Sequence, residues 1–170
     1  MGTNWLRYSL FFLVLVILQI WILNRIHLFG YATPFFYIYF IIKLPADMGR
    51  NSLLFVACLL GLSIDFFSYT MGFNMLACTI MGFSRYYILN VFVPRDMTDS
   101  FVPSVDSFGL SLFIRYTTVL VVVHHIIFFI AESFSFLDVT TILLKIAGSS
   151  ILSLVLIFGV EQLKLDFLKK

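Results

Sequence analysis

Charge is scarce in this chain. Eleven Lys and Arg and nine Asp and Glu are spread over 170 residues, 12% of the total, whereas 61% are hydrophobic. A water-soluble domain of this size needs a polar exterior, and so few polar side chains cannot supply one. The net charge of +2 is small and by itself says nothing about nucleic acid, which is not an expected partner. Cysteine is nearly missing too. Cys58 and Cys78 fall inside predicted helices and read as small packing residues, with a disulfide or metal role as the minor alternative. Absent as well are Gly-x-Ser-x-Gly, a P-loop, His-Glu-x-x-His and Cys-x-x-Cys, so neither an enzyme nor a cofactor-binding protein is expected.

What the chain has instead is apolar runs. Leu10–Leu23 is interrupted only by Gln19, and Ile146–Val160 carries no charge. With a mean hydropathy of +1.04, most side chains must have lipid as their solvent. The runs are continuous rather than alternating, which excludes an outer-membrane barrel and predicts an all-α integral membrane protein. A spanning helix needs roughly 20 apolar residues, and six candidates emerge at about 8–24, 31–45, 52–68, 71–93, 109–131 and 139–160. They fill one multi-pass domain over 1–170. The second and third are short, so a tilted or re-entrant path is open to them. Arg7 and the first run resemble a signal sequence, but no small-x-small cleavage site follows, and a retained anchor helix is expected.

Placing the N-terminus in the cytoplasm and alternating across six spans puts Arg7, Lys43, Arg50, Arg85, Arg95, Lys164, Lys169 and Lys170 inside. Arg25 alone falls clearly outside, as the positive-inside rule requires. An N-in/C-in topology follows. The connector Pro94–Ser107, with two prolines and three aspartates, reads as a cytoplasmic turn or short linker.

Ionisable groups at membrane depth are costly and therefore candidates for function. Asp65 sits beside Ser63, Ser68, Thr70 and Asn74, which suits either turn capping or contact with a partner. Arg85 and Arg115 read as snorkelling residues. His125 and Glu132 are seven apart and share a helix face, whereas adjacent His124 and His125 point about 100° apart and cannot easily share one ion. Hydrogen bonding, pH sensing or packing suits the group better than a metal, and Lys145 is placed to pair with Glu132 or Asp138. Ala57, Gly61, Gly72, Gly82 and Gly148 mark faces where helices can approach closely, within the bundle or against another protein.

The order of landmarks resembles the rod-shape-determining MreD family of bacteria. The resemblance is carried by Gly61-Leu-Ser-Ile-Asp65-Phe-Phe-Ser68 with Thr70-Met-Gly72-Phe-Asn74, by Tyr37–Pro45, by Pro94-Arg95-Asp96, and by the His124-His125 helix ending in Glu132-Ser-Phe-Ser135. It covers essentially the whole chain. It implies a non-enzymatic membrane scaffold of the cell-elongation machinery in the bacterial inner membrane. The implied partners are the transmembrane helix of MreC and, further out, MreB, a RodA-type glycosyltransferase and its transpeptidase, with membrane lipid around them. It also implies likeness to the six-helix substrate-binding subunits of energy-coupling-factor transporters, and hence an outward pocket. The family carries no ligand residue over, and Asp65, Asn74 and His125 are expected to line it from their place in this sequence alone. A vitamin-type transporter subunit is the alternative expectation.

Overall fold

The computed structural model describes residues 2–28, 30–93, 101–133 and 138–168. Seven α-helices make up the described chain: α1 (Gly2–Trp21), α2 (Tyr39–Ile42), α3 (Arg50–Ser68), α4 (Phe73–Phe92), α5 (Val105–Phe108), α6 (Leu110–Glu132) and α7 (Val139–Leu168). No strand occurs among the described residues; Leu28 and Ala32 merely bridge a turn. Five stretches are long and apolar enough to cross a membrane: Trp5–Arg25, Arg50–Ser68, Phe73–Phe92, Leu110–Glu132 and Val139–Lys164. Large apolar residues such as Trp21, Phe55, Phe66 and Ile151 face outward, as a bundle solvated by lipid allows.

The expected helix over 31–45 does not form. Residues 33–35 belong to no regular element, a 3-10 turn follows at Phe36–Ile38, and α2 adds little more than one turn. Pro34 is one cause, since it disfavours helical geometry at Thr33 and brings no N–H of its own. Every residue from Phe35 to Leu44 is nonetheless buried. This broken segment runs alongside α7. Thr33 donates its amide to Ser149 Oγ at 3.0 Å, and Lys43 meets Glu161 at 2.9 Å. Ser149 to Glu161 is about 18 Å of helix at 1.5 Å per residue.

Non-helical backbone survives at membrane depth only where protein satisfies it. Here side chains from distant helices do so. Gln19 of α1 accepts the Phe36 amide at 2.9 Å and donates to the Pro34 carbonyl at 2.9 Å. Ser153 of α7 accepts the Phe35 amide at 2.9 Å. Around this axis α3 packs on α4, α4 on α6 and α6 on α7.

Candidate functional site

The α3–α4 turn is built around one carboxylate. Gly61 lets α4 come so close that a Cβ there would lie 2.5 Å from Met75 Cα and 2.6 Å from the Asn74 carbonyl carbon. One turn later Asp65 uses that proximity. Its Oδ1 accepts from the Thr70 hydroxyl, the Asn74 amide (3.1 Å) and Asn74 Nδ2 (2.9 Å), and its Oδ2 accepts from the Met75 amide (2.8 Å). Gly72 at the start of α4 has φ +85° and offers no side-chain cap. Asp65 therefore caps α4 from the neighbouring helix, placing negative charge at the helix's positive end.

From Asn74 the network runs inward. Asn74 Oδ1 accepts from Tyr37 OH at 2.7 Å, and that oxygen lies 2.9 Å from His124 Nε2. With the Tyr37 proton committed to Asn74, His124 must donate from Nε2, leaving Nδ1 as an acceptor. That Nδ1 is buried and unpartnered among the described residues. His125 takes the other tautomer. Its Nδ1 donates to the Val121 carbonyl at 2.7 Å, and its Nε2 accepts from Ser153 Oγ at 3.3 Å. Each histidine thus binds the broken segment, His124 through Tyr37 and His125 through the serine that holds Phe35.

The other end of the bundle carries two features that composition alone did not single out. Glu161, 2% exposed, pairs with Lys43 and accepts from the Tyr39 hydroxyl. Arg85, expected to snorkel, is instead fixed in the interior. It donates to Tyr116 OH at 3.0 Å and to the carbonyls of Leu44 and Pro45 that end the broken segment. Those carbonyls lie just past the C-cap of α2, buried at Leu44 and half-buried at Pro45, so a donor with several N–H groups serves there. Arg115 is exposed. The only sign of the Lys43–Glu161 pair in the sequence is one opposite charge in each of two apolar regions 118 residues apart.

No protein-family model, curated protein or solved structure matches the chain.

The expected site residues separate into three places. A cavity of about 520 Å³ opens among the helices at the Asp65 end, with Asn74 in its wall and Glu132 at its margin. Asp65 and His125 do not line it, contrary to expectation. Asp65 is spent on capping, and His125 is screened by the rings of Phe35 and Phe129, 5.2 and 6.2 Å from it. The shared helix face of His125 and Glu132 does not make them a unit either. His125 is fully buried, whereas Glu132 is exposed and pairs with Lys145 at 3.3 Å. Ala57 and Gly82 face each other across α3 and α4, and Gly148 meets Ala32, each at 3.0 Å from a would-be Cβ. The small-residue faces at Ala57, Gly61, Gly82 and Gly148 are thus occupied inside the bundle, whereas Gly72, contrary to expectation, has open space around it and serves the turn through its φ of +85°. Among the described residues no group of three or more His, Cys, Asp or Glu is placed to hold a metal ion. Pro94-Arg95-Asp96 lies outside the described residues, as do Phe134 and Ser135.

Proposed function

We propose that this protein is a non-enzymatic scaffold of the bacterial cell-elongation machinery, seated in the inner membrane, binding the transmembrane helix of MreC and supporting lateral peptidoglycan synthesis. The observation that carries the reading is that the residues behind the resemblance act together. Gly61, Asp65, Thr70 and Asn74 form one clamp between α3 and α4, and Gly72 supplies the φ of +85° at the turn between them, which gives their order along the chain a physical reason. The polar groups at depth are largely spent on holding the bundle, which leaves helix sides as the binding surfaces. One of these, between α1 and α3, is an apolar groove of about 830 Å³ that includes Phe12, Leu13, Val56 and Leu59. A membrane-spanning partner helix suits such a surface.

In this reading the broken segment is a sixth pass, and both chain ends lie in the cytoplasm. Arg7, Lys43, Arg50, Arg85, Arg115 and Lys164 belong to the Glu161 half, against Arg25 and Lys145 in the other, and that bias favours the Glu161 end as the inner one. Purification of the tagged protein from its own membrane at native expression, followed by mass spectrometry, tests the proposal. Recovery of MreC, with rod shape lost on deletion, supports it. Recovery of an ATPase module without MreC overturns it in favour of a transporter's substrate-binding subunit. The 520 Å³ cavity is the observation that favours this second reading.

A further inference from the structure

A scaffold has no evident use for the cavity at the Asp65 end. Its volume of about 520 Å³ falls within the range of small-molecule sites. Its lining has two characters. Phe35, Phe67, Phe128 and Phe129 make an aromatic surface. Polar groups are present, but most are already engaged. Asn24 bonds Gln19 and Ser68, Thr70 bonds Asp65, and Asn74 bonds both Asp65 and Tyr37. A sugar or nucleobase, which needs many free hydrogen-bonding partners, would find few here.

Recognition therefore falls on the charges, Glu132 and Lys145. They are 3.3 Å apart and their side chains are 39% and 31% exposed, so the bond between them is worth little and opens at small cost. The pair is neutral as a unit. A lone anion drawn to Lys145 would face Glu132, and a lone cation drawn to Glu132 would face Lys145. A ligand carrying both charges satisfies both residues.

We propose that this cavity binds a small zwitterion, its ammonium on Glu132, its anionic group on Lys145, and any apolar body against Phe35, Phe128 and Phe129. Two sources share this chemistry: a free amino acid with a large apolar side chain, and the phosphoethanolamine headgroup of a lipid. The inference stands apart from the elongation reading. MreC can fail to copurify while the site binds, and the site can fail while MreC copurifies.

The test is isothermal titration of the full-length chain in detergent with phenylalanine and with phosphoethanolamine. Phenethylamine and 3-phenylpropionate, each with one of the two charges, serve as controls. In parallel, native mass spectrometry asks whether phosphatidylethanolamine or phosphatidylglycerol is retained from mixed nanodiscs. Saturable binding of a zwitterion is expected, with single-charge analogues weaker by about tenfold or more. Phenylalanine binding without retained lipid assigns the free source. Phosphoethanolamine binding with retained phosphatidylethanolamine assigns the lipid. Glu132→Gln at an exposed position and Lys145→Gln at a half-buried one, each checked for intact folding by gel filtration, should weaken binding by about tenfold. The exchange Glu132→Lys with Lys145→Glu should restore it. No saturable binding of either zwitterion, equal binding of the single-charge analogues, or indifference to both single variants overturns the proposal.

Discussion

Adding one methyl group at Gly61 should separate α3 from α4. In Gly61→Ala the new Cβ would lie 2.5 Å from Met75 Cα and 2.6 Å from the Asn74 carbonyl carbon, all of it backbone that cannot rotate away. Restoring ordinary contact requires about 1 Å of helix displacement, and overpacking of this kind costs about 1–3 kcal/mol. The same movement pulls the Asn74 and Met75 amides away from Asp65, which they now meet at 3.1 and 2.8 Å. Hydrogen bonds to a charged group contribute about 1.5–3 kcal/mol each. Against this, alanine is favoured over glycine in a helix interior by about 0.5–1 kcal/mol. The net expectation is a loss of about 2–5 kcal/mol. Gly82→Ala is the internal control. Its Cβ would meet Ala57 Cβ at 3.0 Å and Leu53 at ordinary contact distance, and a shift of a few tenths of an ångström relieves the former. Helix propensity then nearly offsets the crowding, and its stability should stay within about 1 kcal/mol of wild type. Reversible unfolding in mixed micelles, read alongside protein level in the membrane, measures both. Equal cost for the two substitutions would refute the close-packed clamp, and a charge at Gly61 (Gly61→Glu) should reduce accumulation further.

Glu161→Gln leaves Lys43 buried without its counter-charge and should cost about 3–5 kcal/mol, while Lys43→Met with Glu161→Leu should recover much of that; a double variant no better than the single one in the same unfolding assay would refute the pairing. Gln19→Leu orphans the Phe36 amide and the Pro34 carbonyl and should cost about 2–5 kcal/mol, with faster hydrogen exchange at residues 35–38 as the local readout. Asp138 accepts from the Thr141 hydroxyl and the Thr140 amide, and the Thr141 bond chiefly holds its carboxyl below the usual range. Its contribution is complete above the ordinary carboxylate pKa and is lost as pH falls through the lowered value. Exchange at residues 140–142 should accelerate only in strong acid, and Asp138→Asn should abolish that pH dependence.

The legible parts of the sequence were those whose causes are local. Five long helices could be read from runs of apolar residues, because each run satisfies its own backbone once helical. The Asp65 turn could be read as well, since Asp65, Thr70 and Asn74 lie within nine residues of one another. The broken segment 33–45 was not legible, because an apolar run of that length has no periodicity separating a helix from a buried irregular strand. Pro34 was its one local signal. Its real determinants are Gln19, Ser149 and Ser153, and the two serines lie more than 110 residues away along the chain. Arg85 and Glu161 went unread for the same reason. Arg85 answers carbonyls that exist only because the segment ends where it does, and Glu161 answers a lysine in another pass.

The break also accounts for the cavity. An α-helix with its side chains occupies a cylinder about 10 Å across, which a non-helical stretch does not fill in the same way. Where 33–35 depart from helix, the cavity lies at the Asp65 end among α1, α3, α6 and α7, with Thr33 and Phe35 in its wall. A continuous helix would have needed neither Gln19 nor Ser153, and it would have closed that end. The buried hydrogen bonds to Gln19, Ser149 and Ser153 therefore have a consequence beyond stability. They fix the backbone of Thr33 and Phe35, two residues in the wall of the cavity that Glu132 and Lys145 also line. Loosening the broken segment should thus reach the charge pair without touching it, which ties the packing at depth to whatever binds at the surface.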